Sequence, residues 1–231
     1  MRTWFSLQKR LSMLNRALVR LLNKLPNSKQ QTNLNDFWRD RARLYGKRSA
    51  LNIAHREEEF DSVTDCQRQL LFPLLKSELN GTEFAVLDFG CGPGRFTLGL
   101  AELIGGTAIG VDITQELIDL APRSPSVSYR CIGNCDLPFP ESTFDIVWSC
   151  LVLGGIPDGQ VEKSVSEIQR VLRPGGLFFY AENTANETST DYWFFRSENA
   201  YIRLARFCNP RGLGSYEDMG QTISIFAGRK C

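Results

Sequence analysis

Two aspartates and three glycines form the part of this chain best suited to chemistry. Asp88, Gly90, Gly92 and Gly94 fall in Val86-Leu87-Asp88-Phe89-Gly90-Cys91-Gly92-Pro93-Gly94-Arg95-Phe96, and Asp112 closes the next apolar run, Thr107 to Val111. Glycines let a backbone pass close to a ligand. A carboxylate beside such a loop, as at Asp88, can meet a cationic amino group. A carboxylate ending the next strand, as at Asp112, can take both hydroxyls of a ribose. A dinucleotide site wants G-x-G-x-x-G, with bare N–H groups facing a pyrophosphate. Here Arg95 holds the third dinucleotide position, and Pro93 removes one donor. The Gly-Lys-Ser/Thr of a P-loop is absent. The pattern suits a close-lying nucleoside ligand that carries no phosphate.

Strands must carry these residues to one edge. Apolar runs read as strands over 84–88, 107–112, 127–131, 144–150 and 176–182, with helices at about 95–104, 114–121, 160–172 and 191–207. This alternation predicts an α/β fold, a Rossmann-like doubly wound sheet with helices on both faces. Gly214 to Met219 and Gln221 to Gly228 read as a terminal hairpin turning at Gly220, giving a seven-stranded, mostly parallel sheet. Residues 36–80 look helical, with a helix from Phe37 and another over Phe60 to Leu79 broken near Pro73. They should cover the ligand end of the sheet.

The 231 residues suit one α/β domain, 35–231, behind an N-terminal extension, 1–34. Net charge is +1, but residues 1–34 hold seven Lys/Arg and no acid, so the rest of the chain is acidic. That argues against a nucleic-acid substrate, which needs phosphates neutralised. Apolar residues at 4, 7, 11, 14, 18, 21, 22 and 25 form one helical stripe among basic neighbours. Peripheral contact with an anionic membrane, docking on a protein partner, a cleaved organellar presequence and packing on the chain's own domain all fit it. The seven cysteines lack metal-site spacing and read as buried free thiols of a cytoplasmic protein. No apolar run reaches the ~18 residues of a membrane span.

Three ordered motifs resemble the class I S-adenosylmethionine-dependent methyltransferases. The glycine loop with Asp112 is one. Asp136-Leu137-Pro138-Phe139-Pro140, followed by Phe144-Asp145-Ile146-Val147, is similar to the family's segment before strand four. Glu167-Ile168-Gln169-Arg170-Val171-Leu172-Arg173-Pro174-Gly175-Gly176 is similar to its run before strand five. The resemblance implies an antiparallel C-terminal strand and S-adenosylmethionine as cofactor. It implies that Gly90, Cys91, Gly92 and Gly94 lie against the cofactor, that Asp88 meets its amino group, and that Asp112 takes the ribose. Ile113 would lie against the adenine. A helix cap before Gln115 is the other reading of Asp112. Asn134 and the Cys135 N–H would read the adenine edge, with Asp136 a rival. Cys150 and Leu151 would line the cofactor through their backbones.

Methyl transfer is a direct displacement that rests on positioning, and a hydroxyl acceptor also needs its proton removed. His55 is the only histidine. Base, lid and surface residue at a helix start are its three readings. Relatives often carry a histidine after strand four, where Gly155 stands here. Glu182, ending strand five, is the other candidate base, expected on the acceptor side. Trp193, Phe194, Phe195 and Arg196 could wall the acceptor or belong to the core. Two functions emerge. One is a small-molecule methyltransferase, with O-methylation of a sugar, lipid-linked or natural-product acceptor. The other is a non-catalytic methyltransferase-like subunit docking through residues 4–25.

Overall fold

Side chains alternate between the two faces of each central strand, and both faces are covered, so the strands are buried in continuous runs. In the computed structural model, which describes residues 34–133 and 135–231, seven strands form one sheet. They are β1 (Ala85–Phe89), β2 (Thr107–Asp112), β3 (Val127–Cys131), β4 (Phe144–Cys150), β5 (Leu172–Asn183), β6 (Arg211–Asp218) and β7 (Gln221–Arg229). Their order is β3-β2-β1-β4-β5-β7-β6. β1 to β5 pair in parallel, and β7 runs antiparallel between β5 and β6. The expected strands recur within a residue or two, save that β5 begins at Leu172 and β6 at Arg211.

Alternate residues feed two cores. Leu87, Val147, Phe178 and Tyr180 pack under α5 (Asp158–Val171) and α6 (Glu198–Leu204). Val86, Ile146, Trp148 and Phe179 pack under α2 (Phe60–Glu78) and α3 (Thr97–Ile104). Trp148 and Phe179 stack there with centroids 4.9 Å apart. α1 (Leu34–Tyr45) lies over the short helix α4 (Gln115–Ile118) and the loop after β3. Arg43 reaches Glu116 at 3.0 Å and Asn35 Nδ2 donates to the Gly133 carbonyl at 3.0 Å.

Two helical expectations change. α2 runs unbroken through Pro73. Its apolar face, Val63, Leu71 and Leu75, stays buried on both sides of the proline, while Pro73 itself is exposed. Packing thus outweighs one missing hydrogen bond. The helix expected over 191–207 begins only at Glu198, because Ser197 caps it by accepting the Ala200 N–H. The helix read over 4–25 lies outside the described residues, as does Asn134. No described helix is long and apolar enough to cross a membrane. All seven cysteines are free; Cys91 and Cys208 are buried, whereas Cys131 and Cys231 are exposed, contrary to the expectation of uniformly buried thiols.

The two sequence motifs downstream of the glycine loop meet. Glu167 accepts the Leu137 N–H at 2.9 Å, and Arg170 donates to the Phe139 and Leu137 carbonyls at 2.7 and 2.9 Å. One helix face therefore clamps the segment entering β4.

Gly90 adopts φ +74°, and a Cβ there would overlap the Val152 side chain. Gly105, at φ +61°, faces open space. Gly105→Ala should cost about 1–2 kcal/mol from backbone strain alone, and Gly90→Ala about 2–5 kcal/mol because overpacking is added. Urea unfolding measures both; equal losses would mean that Val152 relaxes freely.

Candidate functional site

The sheet reverses direction of growth between β1 and β4, and ligands of open α/β sheets bind at such a point. A cavity of about 2160 Å³ opens there, over the carboxyl ends of β1, β2, β4 and β5. Its volume exceeds the ~1,000 Å³ upper range of ordinary ligand pockets. There is room for two molecules.

Gly90, Cys91 and Gly92 form one wall, whereas Gly94, expected against the cofactor, turns away toward Pro122 and Tyr129 and does not line the cavity. The loop's hydrogen bonds decide what it can hold. Gly90 N–H and Cys91 N–H both donate to the Val111 carbonyl, at 2.8 and 2.9 Å. Gly92 N–H donates to Asp112 Oδ2 at 2.8 Å, and Gly94 N–H to the Cys91 carbonyl at 2.9 Å. Pro93 has none to give. Every backbone donor of 90–94 is engaged, which leaves no nest for a pyrophosphate.

Asp88, Cys91, Asp112, Ile113, Cys135 and Cys150 all line the cavity beside this loop. Asp88 is 2% exposed and accepts from Thr97 Oγ1 at 2.6 Å. Burial pushes its carboxyl up to about 7, against the lowering effect of that hydroxyl. Asp112 Oδ1 accepts the Thr114 N–H at 2.9 Å, so Asp112 both braces the glycine loop and holds the turn leading into α4. Burial raises it too. Ile132 and Leu117 extend the apolar wall begun by Ile113; both were missed in the sequence because isolated aliphatics after a strand carry no signal. Asp136 does not line the cavity. The Cys150 thiol, pushed up to about 12 by burial, is no nucleophile.

Glu182 requires correction. It is fully buried and does not line the cavity. Its carboxylate accepts the N–H groups of Val152, Leu153 and Gly154 at 3.0, 2.8 and 3.1 Å. It is a backbone cap, with no oxygen facing an acceptor. Arg196 also turns inward. It donates to the Leu153 and Ile156 carbonyls at 2.8 and 2.7 Å and pairs with Asp158 at 2.6 Å. Trp193 and Phe195 do face the cavity, while Phe194 does not. Gly155 takes the place of a side chain there because Trp38 fills the space: a Cβ would stand 3.1 Å from its ring.

His55 is 4% exposed and lines the cavity, so it is no surface residue. Its Nε2 lies 2.6 Å from Asp218 Oδ1, across 163 residues of sequence. Asp218 was missed. An aspartate at a hairpin turn reads as turn chemistry, and nothing local marks a distant partner. Arg95, also buried, donates to Thr64 Oγ1 and to the Ala50 carbonyl, both at 3.1 Å, and to Gln67.

The raised Asp88 means that the folded chain keeps a proton that the unfolded chain releases, from the ordinary carboxylate range up to about 7. Stability contributed by this group therefore falls as pH rises through that window. Asp88→Asn should stabilise the ligand-free protein by about 1–2 kcal/mol at pH ~8, a gain that shrinks toward pH ~4. Chemical unfolding at both pH values tests it; a pH-independent difference would deny Asp88 its titration.

Comparison with known proteins follows the same residues. Residues 86–176 match the family model described as a methyltransferase domain. Malonyl-[acyl-carrier protein] O-methyltransferase of Yersinia pestis is 31% identical over 135 residues, 58% of this chain and 49% of that protein. Demethylmenaquinone methyltransferase of Symbiobacterium thermophilum is 38% identical over 109 residues, 42% and 41% of the two chains. The chain thus spans under half the length of these relatives. The solved PH0226 protein of Pyrococcus horikoshii shares the fold at a TM-score of 0.63, with 19% identity over 83% of this chain and 99% of that one. With its glycine loop, motif clamp and sheet order, the chain is similar over residues 86–176 to methyltransferase domains and shares its fold with the PH0226 protein.

Proposed function

We propose that this chain binds S-adenosylmethionine and passes its methyl group to a hydroxyl of a small-molecule acceptor, such as a sugar, a lipid-linked compound or a natural product. One observation carries the reading. A loop with no free backbone donor stands between buried Asp88 and half-buried Asp112, at one end of a cavity larger than one ligand needs. A sulfonium nucleoside offers what those groups can use: a cationic amino group for Asp88, ribose hydroxyls for Asp112 and an adenine for the Ile113, Leu117 and Ile132 wall. The ammonium would supply the counter-charge that buried Asp88 lacks. Asn134 and the Cys135 N–H are the proposed readers of the adenine edge. The cofactor supplies an electrophilic methyl carbon. The protein's task is to hold the acceptor oxygen in line with it and keep water out. The O-methyltransferase name of the Yersinia pestis relative supports oxygen as the acceptor atom.

Calorimetry should detect binding of S-adenosylmethionine and of its demethylated product, and none of NAD. Asp112→Asn, which still offers an acceptor to the loop, should weaken binding about tenfold or more, a loss of at least ~1.4 kcal/mol. Equal affinity in the variant would sink the ribose assignment. No binding in either would favour a docking subunit without catalysis.

The basic stripe over residues 4–25 is proposed to dock on an anionic membrane surface or a partner protein. Deleting residues 1–33 should leave cofactor affinity and melting temperature unchanged while reducing association with anionic vesicles or the partner. A large loss of stability would instead put the stripe on the domain.

A further inference from the structure

We infer that Asp218 is the positioning residue of a His55 base: it fixes the imidazole tautomer so that Nδ1 takes the acceptor's proton. This rests on the methyl-transfer reading above. A carboxylate only accepts hydrogen bonds. The 2.6 Å contact between His55 Nε2 and Asp218 Oδ1 therefore holds the ring hydrogen on Nε2 in the neutral imidazole. The lone pair is left on Nδ1. Glu59 Oε2 lies 3.8 Å from that atom, too far for a direct hydrogen bond, and Glu59 is itself held by the Arg56 N–H at 2.8 Å. His55, Glu59 and Asp218 all line the cavity.

The pair is built to keep its geometry. Gln221 pairs with Asp218 across the hairpin turn. Gln221 Oε1 accepts from Asn52 Nδ2 at 3.2 Å and from Asn183 Nδ2 at 2.9 Å. The segment carrying His55 and the hairpin carrying Asp218 are thus joined twice, through 55 to 218 and through 52 to 221. The His55 N–H donates to the Asn52 carbonyl at 3.0 Å, which locks the two bridges together. Arg95 is coupled electrostatically to Asp218 from the glycine-loop side.

The step balances. The acceptor's O–H bond breaks and its proton passes to Nδ1. The oxygen's electron pair forms the bond to the sulfonium methyl carbon, and the carbon–sulfur pair stays on sulfur. The resulting imidazolium lies between the Asp218 and Glu59 carboxylates. Glu182 is spent on three backbone N–H groups and the Cys150 thiol is neutral, so neither competes for the role.

One histidine in the chain makes the test direct. Long-range proton–nitrogen correlation on the full-length, nitrogen-15-labelled protein, at alkaline pH where an imidazole is neutral, reports a single ring. The expected spectrum has hydrogen on Nε2 in the wild type and a mixed or reversed tautomer in Asp218→Asn. Hydrogen on Nδ1 in the wild type, or an unchanged tautomer in the variant, would overturn the assignment. This readout needs no acceptor, so it stands apart from the methyl-transfer reading, which calorimetry tests. With an acceptor found by panel turnover, His55→Gln should lower kcat about 10²–10⁴-fold. Asp218→Asn should lower kcat by ~10²-fold or more, as loss of a tautomer-fixing carboxylate does in hydrolases, with KM for the cofactor and melting temperature little changed. An altered tautomer with unchanged kcat would make the pair a structural latch and refute the base.

Discussion

A buried carboxylate is the constraint on which this site depends. Glu182 is taken wholly out of water, and burial pushes it up to about 7 even though three backbone N–H groups surround it. Those N–H groups cannot be replaced by the sheet, because the chain leaves β4 at Leu151 with φ +60°, a conformation that a bulky side chain rarely takes. Such strain persists only where the surroundings over-determine it. Here the Leu151 N–H reaches the Ala181 carbonyl at 2.8 Å and Glu182 gathers the next three donors. The turn aims Val152 at Gly90, where only a missing Cβ makes room. The end of β5 thereby sets the end of β4, and the end of β4 sets the glycine loop.

Arg196 completes the same device from the opposite side. Glu182 binds the N–H groups of residues 152–154, while Arg196 binds carbonyls at 153 and 156. A short segment is thus held by both of its polar edges. Trp38 and Trp193 then close over Gly154 and Gly155, so the cavity floor is made of ring edges and bare backbone. The charged groups that looked available for chemistry in this stretch are consumed in shaping it.

The legible part of the molecule was the part with local or periodic causes. Strands announce themselves by short apolar runs, the hairpin by a glycine at its turn, and the glycine loop by its spacing. The clamp between Glu167, Arg170 and the 137–139 backbone gives those two motifs a physical reason to occur together. The rest depends on direction and distance. Whether Arg196 faces a cavity or a carbonyl is decided by a loop that no periodicity describes. Pro73 looked like a helix end because local chemistry says so, and burial on both flanks overrides it. His55 and Asp218 meet only because a hairpin 163 residues onward folds back over the first half of the chain. That contact has no local signature.

The double bridge from residues 52 and 55 to 221 and 218 also fixes an order of events during synthesis. Residues 46–59 emerge early, yet their partners are 163 to 169 residues further along. At ordinary translation speeds the early segment waits roughly 10–30 s before its closing hairpin is made. From the time β5 is made until Gln221–Arg229 follow, β5 has no neighbour on the side where β7 will pair, and throughout the wait the wall between Ile53 and Ile223 is unfinished. The exposed strand edge and the half-built apolar wall would be available to ribosome-bound chaperones in a way the finished fold conceals.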